Sequence, residues 1–93
     1  MSFTKESVVE RAKHDLAERL EIGVGEIKDL GVSDKDFPDM ALGSPVSGEI
    51  SAQMISSGWQ IELGVAGDTY EYRADKYQLR LHNFGGANYV IES

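Results

Sequence analysis

Apolar positions recur at two different periods along the chain, and the change of period divides it. Over residues 4–21, TKESVVERAKHDLAERLE, the residues Val9, Ala12, Leu16 and Leu20 recur at spacings of three and four, with Val8 and Ala17 widening the stripe. That spacing puts them on one face of a helix. Thr4 is a candidate N-cap, and SVVE (Ser7 to Glu10) offers a capping box that would start the helix a turn later. Glu6 suits the positive end of the helix dipole, and Asp15 and Arg19 form an i, i+4 pair. Gly23 and Gly25 are the expected stop.

Farther along, the period falls to two. EIKDLGVSD offers Ile27, Leu30 and Val32, which predicts a strand near 27–33 interrupted by Gly31. EISAQMI alternates Ile50, Ala52 and Met54 with Ser51 and Gln53; SSG then reads as a turn. WQIELGV places Trp59, Ile61, Leu63 and Val65 on one side, AGD turns the chain, and TYEYRA sets Tyr70, Tyr72 and Ala74 together. DKY turns it again before QLRLH, with Leu79 and Leu81. NYVI near the end either adds an edge strand or remains loose. Successive short strands with short turns make an antiparallel meander, wet on one face and apolar on the other. The helix stripe is the natural cover. The expected architecture is α+β, one N-terminal helix packed on an antiparallel β-meander of four to five strands in a two-layer sandwich. Residues 1–84 form a single domain, and 85–93 form a flexible or edge-strand tail.

Composition narrows the range of functions. At 93 residues the chain is one domain, and without cysteine it has no disulfide, thiolate metal site or thiol chemistry. Nine Lys and Arg against sixteen Asp and Glu leave a net charge of −7, spread along the chain with no basic cluster. Phosphate backbones would be repelled, so nucleic acid is not an expected partner. No apolar run approaches the ~20 residues that span a bilayer, and MSFTKESVVERAKHD has no apolar signal core. The expected setting is cytoplasmic, with no membrane partner.

Candidate chemistry is sparse. Ser44, in LGSPVSG, lacks the flanking glycines of a nucleophile elbow, and Ser47 lacks them as well. Asp34, Asp36 and Asp39 do not keep the spacing of a calcium loop, since Pro38 and Pro45 occupy two of its positions. His14 and His82 are far apart and show no helical metal pattern. Trp59, Tyr70, Tyr72 and Tyr77 beside Arg73 and Arg80 have the makings of a base-stacking platform, yet three of these aromatics fall on the predicted inner face. The reading is therefore a non-enzymatic domain with no cofactor and no metal.

One stretch stands out: FPDMALGSPVSGE, residues 37–49, which holds both prolines. Pro38 and Pro45 fix φ at two points and bias their preceding residues toward extended backbone. Asp39 can accept from amides two positions on, Gly43 permits positive φ, and Phe37 and Leu42 can anchor the loop on the core. Such a stiffened loop is either a pinned crossover or a preorganised surface for a partner protein. Phe37, Pro38, Asp39, Met40, Leu42, Ser44 and Pro45 are the candidate partner-binding residues.

FPDMALGSP resembles the W-P-D-x-x-L-G-C-P segment of a family of small bacterial domains of uncharacterised activity. AKHDLAERL at 12–20 is similar to their opening helix, and GDTYEY at 67–72 to their G-x-x-Y-x-Y hairpin. Phe37 and Ser44 replace the usual Trp and Cys, so a redox or ligand role of that Cys does not carry over. More distantly, the order of elements resembles PepSY-like domains, which implies peptidase inhibition or regulation as an alternative to general protein contact. A small-ligand site or an enzyme-subunit role is the second alternative.

Overall fold

A computed structural model describes residues 2–93. Helix α1, Lys5–Leu20, packs on one face of a five-stranded antiparallel sheet whose strand order follows the chain: β1 (Lys28–Phe37), β2 (Ser56–Val65), β3 (Asp68–Ala74), β4 (Leu79–Phe84) and β5 (Ala87–Glu92). The α+β sandwich is as the two periods predict.

Thr4 caps the helix. Its hydroxyl accepts from the Ser7 amide at 3.1 Å while the Ser7 hydroxyl accepts from the Thr4 amide at 2.8 Å. This reciprocal box forms a turn earlier than one starting at Ser7. The other end also differs from expectation. Glu21, and not a glycine, takes the left-handed conformation at φ 56°, and the Ile22 amide reaches back to the Ala17 carbonyl at 3.0 Å. The chain has thus already left the helix when it reaches Gly23.

Val8, Ala12, Leu16 and Ala17 are the buried helix residues, with Val9 and Leu20 packed at their margin. They meet Ile61 and Leu63 of β2, Tyr72 and Ala74 of β3, and Leu79 and Leu81 of β4. Alternation in these three strands therefore points the expected residues at the helix. β2 and β3 are joined by a two-residue turn in which Ala66 and Gly67 both have positive φ, at 51° and 88°. Such a turn matches the twist of the strands it joins.

Two strand boundaries depart from the sequence reading. β1 runs four residues beyond 33. As an edge strand exposed almost throughout, it needs backbone pairing with β2 but no apolar alternation. Its charges and the irregularity between Asp29 and Gly31 protect that open edge from further pairing. EISAQMI, by contrast, is not a strand, and SSG is not a turn but the start of β2. The reason lies across the ladder. Phe37, the last residue of β1, pairs with Ser56, and Pro38 follows it with no N–H to give the segment before Ser56. Ile50, Met54 and Ile55 are left exposed, Ile50 almost completely.

NYVI falls in β5, which pairs antiparallel with β4. Arg19 ties that edge to the helix by lying over the rings of Phe84 and Tyr89, at 5.6 and 4.8 Å from their centroids. Among the described residues, no helix is long and apolar enough to cross a membrane.

The left-handed Glu21 carries strain that glycine would not. Glu21→Gly is expected to raise unfolding free energy by about 0.5–1 kcal/mol. Urea denaturation at neutral pH measures it; a fall in stability would show that the side chain of Glu21 matters more than its backbone.

Candidate functional site

The connection between β1 and β2, residues 38–55, folds over the sheet face opposite the helix. Odd–even alternation decides which side chains it meets. Where Tyr72 and Leu81 face α1, Arg73, Arg80 and His82 must face the other way. All three reach the loop.

Arg80 makes the tightest hold. Its buried guanidinium forms two 2.6 Å bonds to the Glu49 carboxylate and donates to the Ser44 carbonyl at 3.1 Å. The paired geometry is the fork-on-carboxylate arrangement that arginine makes best. Hydrogen bonding to Arg80, helped by the Val46 amide, holds the Glu49 carboxyl down at about 2 against the opposing effect of burial. Arg73 donates to the carbonyls of Leu42 and Gly43 at 3.1 and 3.3 Å, pairs with Glu71 at 2.6 Å, and lies 5.7 Å from the Phe37 ring centroid. At β5, the Asn88 side chain donates to the Pro45 carbonyl at 2.9 Å.

Within the loop, one Asp39 oxygen accepts from the amides of Ala41 at 2.9 Å and Gly43 at 3.0 Å. This is the Asx-type turn its sequence predicts, extended by one further amide. Leu42 and Gly43 follow with φ of 58° and 66°. The positive φ of Gly43 favours glycine there, and a Cβ would sit 2.8 Å from a terminal nitrogen of Arg73, displacing that guanidinium from the loop carbonyls.

The seven residues singled out from sequence divide sharply. Phe37, Leu42 and Ser44 are buried feet. Pro38, Met40 and Pro45 face solvent, and Asp39 lies between the two groups with its carboxylate engaged inside the loop. The outward crest is therefore smaller than the motif. Phe37 and Leu42 are apolar and buried, whereas Met40, apolar and in the same turn, is left exposed.

The structure also joins two residues that sequence analysis kept apart. The Ser44 hydroxyl is 2.7 Å from Nδ1 of His82, across 38 positions of sequence. Burial, reinforced by the Arg73 charge, pushes the His82 pKa down. The ring borders an open cavity of about 260 Å³ with Glu62, Thr69, Glu71 and Asn83. Ser44 itself is wholly buried, with its hydroxyl against the imidazole. Only alternation in β4 could have hinted at this pairing, by placing His82 on the same face as Arg80.

A larger groove of about 440 Å³ lies elsewhere, between α1 and β1, over Val9, Val32 and Ile61. Its rim charges are largely paired, Lys13 with Asp29 at 2.9 Å and Lys5 with Asp34 at 3.9 Å. Among the described residues, no three His, Asp or Glu side chains come together as metal ligands.

Glu49→Gln is expected to cost about 1.5–3 kcal/mol at neutral pH by weakening the charged pair with Arg80. The wild-type carboxyl titrates lower folded than unfolded, so its contribution is present above about 4.5 and is lost as pH falls toward about 2. Urea titrations of both proteins from pH 7 downward should show the gap narrowing below pH 4.5; a constant gap would place the effect outside this ion pair.

No curated protein and no solved structure shows significant similarity to the chain. A family model does match, over residues 9–82, a span that includes most of α1, the whole loop, the β2–β3 hairpin and the Ser44–His82 pair. The chain belongs to the family described as Domain of unknown function (DUF8738).

Proposed function

We propose that the protein is a non-catalytic, cytoplasmic contact module that binds a partner protein through the crest of the 38–48 loop. The observation that carries this reading is the disproportion between the loop's anchoring and its outward surface. Two arginines, Asp39 and Asn88 hold its backbone, while Met40, Pro38 and Pro45 face solvent. A surface held in one shape loses little conformational entropy on binding. Proline and methionine make an apolar contact there without adding charge to an acidic protein.

Burial of Ser44 supports the non-catalytic part, because this hydroxyl, hydrogen-bonded to the His82 imidazole, belongs to a residue with no exposure to solvent. The crest, and not the motif as a whole, is then the place to intervene. Asp39 is a poor choice, since losing its carboxylate releases two loop amides.

Met40→Lys with Pro45→Ala changes the crest while leaving every anchor in place. Affinity capture from lysate of the source cells, followed by titration of the purified partner, is expected to show about tenfold or greater loss for this variant at unchanged melting temperature. Equal binding by wild type and variant would remove the crest from any contact, leaving the loop as a brace on the sheet.

A further inference from the structure

We infer that residues 50–54 form a self-pairing strand through which two copies of this chain associate about a twofold axis. This goes beyond the crest reading and does not depend on it. The segment has the β alternation Ile50, Ala52, Met54 against Ser51, Gln53, yet no strand of its own sheet takes it up. It runs without turn, bend or positive φ, and Ile50, Met54 and the following Ile55 are 97, 63 and 72% exposed. Among the described residues, the Ala52 carbonyl is its one backbone group with a backbone partner, accepting from the Met40 amide at 3.0 Å.

That single bond orients the strand. Backbone groups of alternate residues point to opposite edges of an extended chain. With Ala52 turned toward Met40, the N–H and C=O of Ser51 and Gln53 face outward, away from the loop. An antiparallel copy can then pair Ser51 with Gln53 of its partner on both sides of a central Ala52–Ala52 contact. Opposed residues share a face, so Ile50 lies against Met54 in both halves. The pattern is palindromic about Ala52: apolar, polar, apolar, polar, apolar. A shift by one residue would set apolar side chains against polar ones. Ile55 falls on the Ser51–Gln53 side and plays no part in this register.

Charge points to a second copy as the occupant. Each chain carries −7, so most surfaces of two copies repel. Residues 50–61 contain no charged side chain and are the longest such run, while the Glu49 carboxylate beside them is neutralised by Arg80. Two copies can meet here without opposing like charges, and the interface is isologous and closes. A two-stranded ribbon is marginal alone and the patch is small, so the dimer is weak and concentration-dependent.

Sedimentation across a concentration series tests this, with the mass expected to climb from 10.2 kDa toward twice that value. Ile50→Lys and Met54→Glu should each weaken association about tenfold. The double variant should recover it, because the ammonium introduced on one copy then opposes the carboxylate introduced on the other. In this cysteine-free chain, Ala52→Cys should oxidise to a disulfide dimer far faster than Ser47→Cys. The expected Cα separation of ~4.5 Å for a non-hydrogen-bonded pair is within disulfide reach. A constant monomer mass at all concentrations overturns the inference. So does a dimer indifferent to the charge variants, or one in which the two cysteines cross-link equally. All four positions are exposed, so folding is not at stake, and circular dichroism verifies it. Met40→Lys with Pro45→Ala should leave self-association intact, which separates this interface from the crest.

Discussion

The buried guanidinium of Arg80 is the constraint around which the loop side of the molecule is organised. A charge this far from water is costly unless every donor is matched. Here two donors meet Glu49, and others meet the Ser44 carbonyl and the Gln78 amide oxygen at 2.8 Å. These partners come from two points in the middle of the loop, five residues apart, and from the turn that leads into β4. The loop must therefore lie where it does for the cation to be satisfied, and the cation must be there for the loop carbonyls to be paired. Each condition enforces the other. That mutual dependence explains how a long irregular connection stays on a sheet face that has no second helix to cover it.

The helix side is tied down by a different network. The Tyr72 hydroxyl, buried between helix and sheet, donates to Asp15 at 2.7 Å, and Asp15 also accepts from Arg19 at 3.2 Å. Burial and the neighbouring carboxylate push the Tyr72 pKa well above its ordinary value, so the phenol remains a donor. Arg19 then lies over Phe84 and Tyr89. One chain of contacts thus runs from β3 through the helix to β5. An i, i+4 pair legible in the sequence proves to be the middle of this chain, with a geometry far more constrained than a surface ion pair's.

What the sequence makes legible follows from period. The stripe in α1 and the alternation in β2, β3 and β4 name the core correctly, because a buried face writes itself into residue spacing. Strand ends are less readable where pairing, not burial, sets them. β1 continues through Asp34, Lys35 and Asp36 to Phe37 because backbone groups on β2 accept it, and no apolar alternation records that. The segment 50–55 errs the other way: it has the pattern of a strand but lacks a partner, since Pro38 ends the ladder. Ser44 and His82 meet only because the loop doubles back over the sheet, which no local pattern encodes. Arg73 and Arg80 look like solvated charges in the sequence for the same reason.

These two failures of local reading have one physical origin. Residues on the loop face are selected for contacts made across the crossover, so their side chains are polar where a core would be apolar. Residues just before β2 have the reverse mismatch, apolar side chains in a place where the fold provides no cover. A sequence whose local preferences agree along the buried faces of α1, β2, β3 and β4 departs from agreement at this face. Paired arginines absorb the first departure completely, since among the described residues no buried side-chain polar atom lacks a partner. Nothing within the chain absorbs the second. The exposed alternation at Ile50, Ala52 and Met54 is the part of this fold whose chemistry is left to be completed from outside.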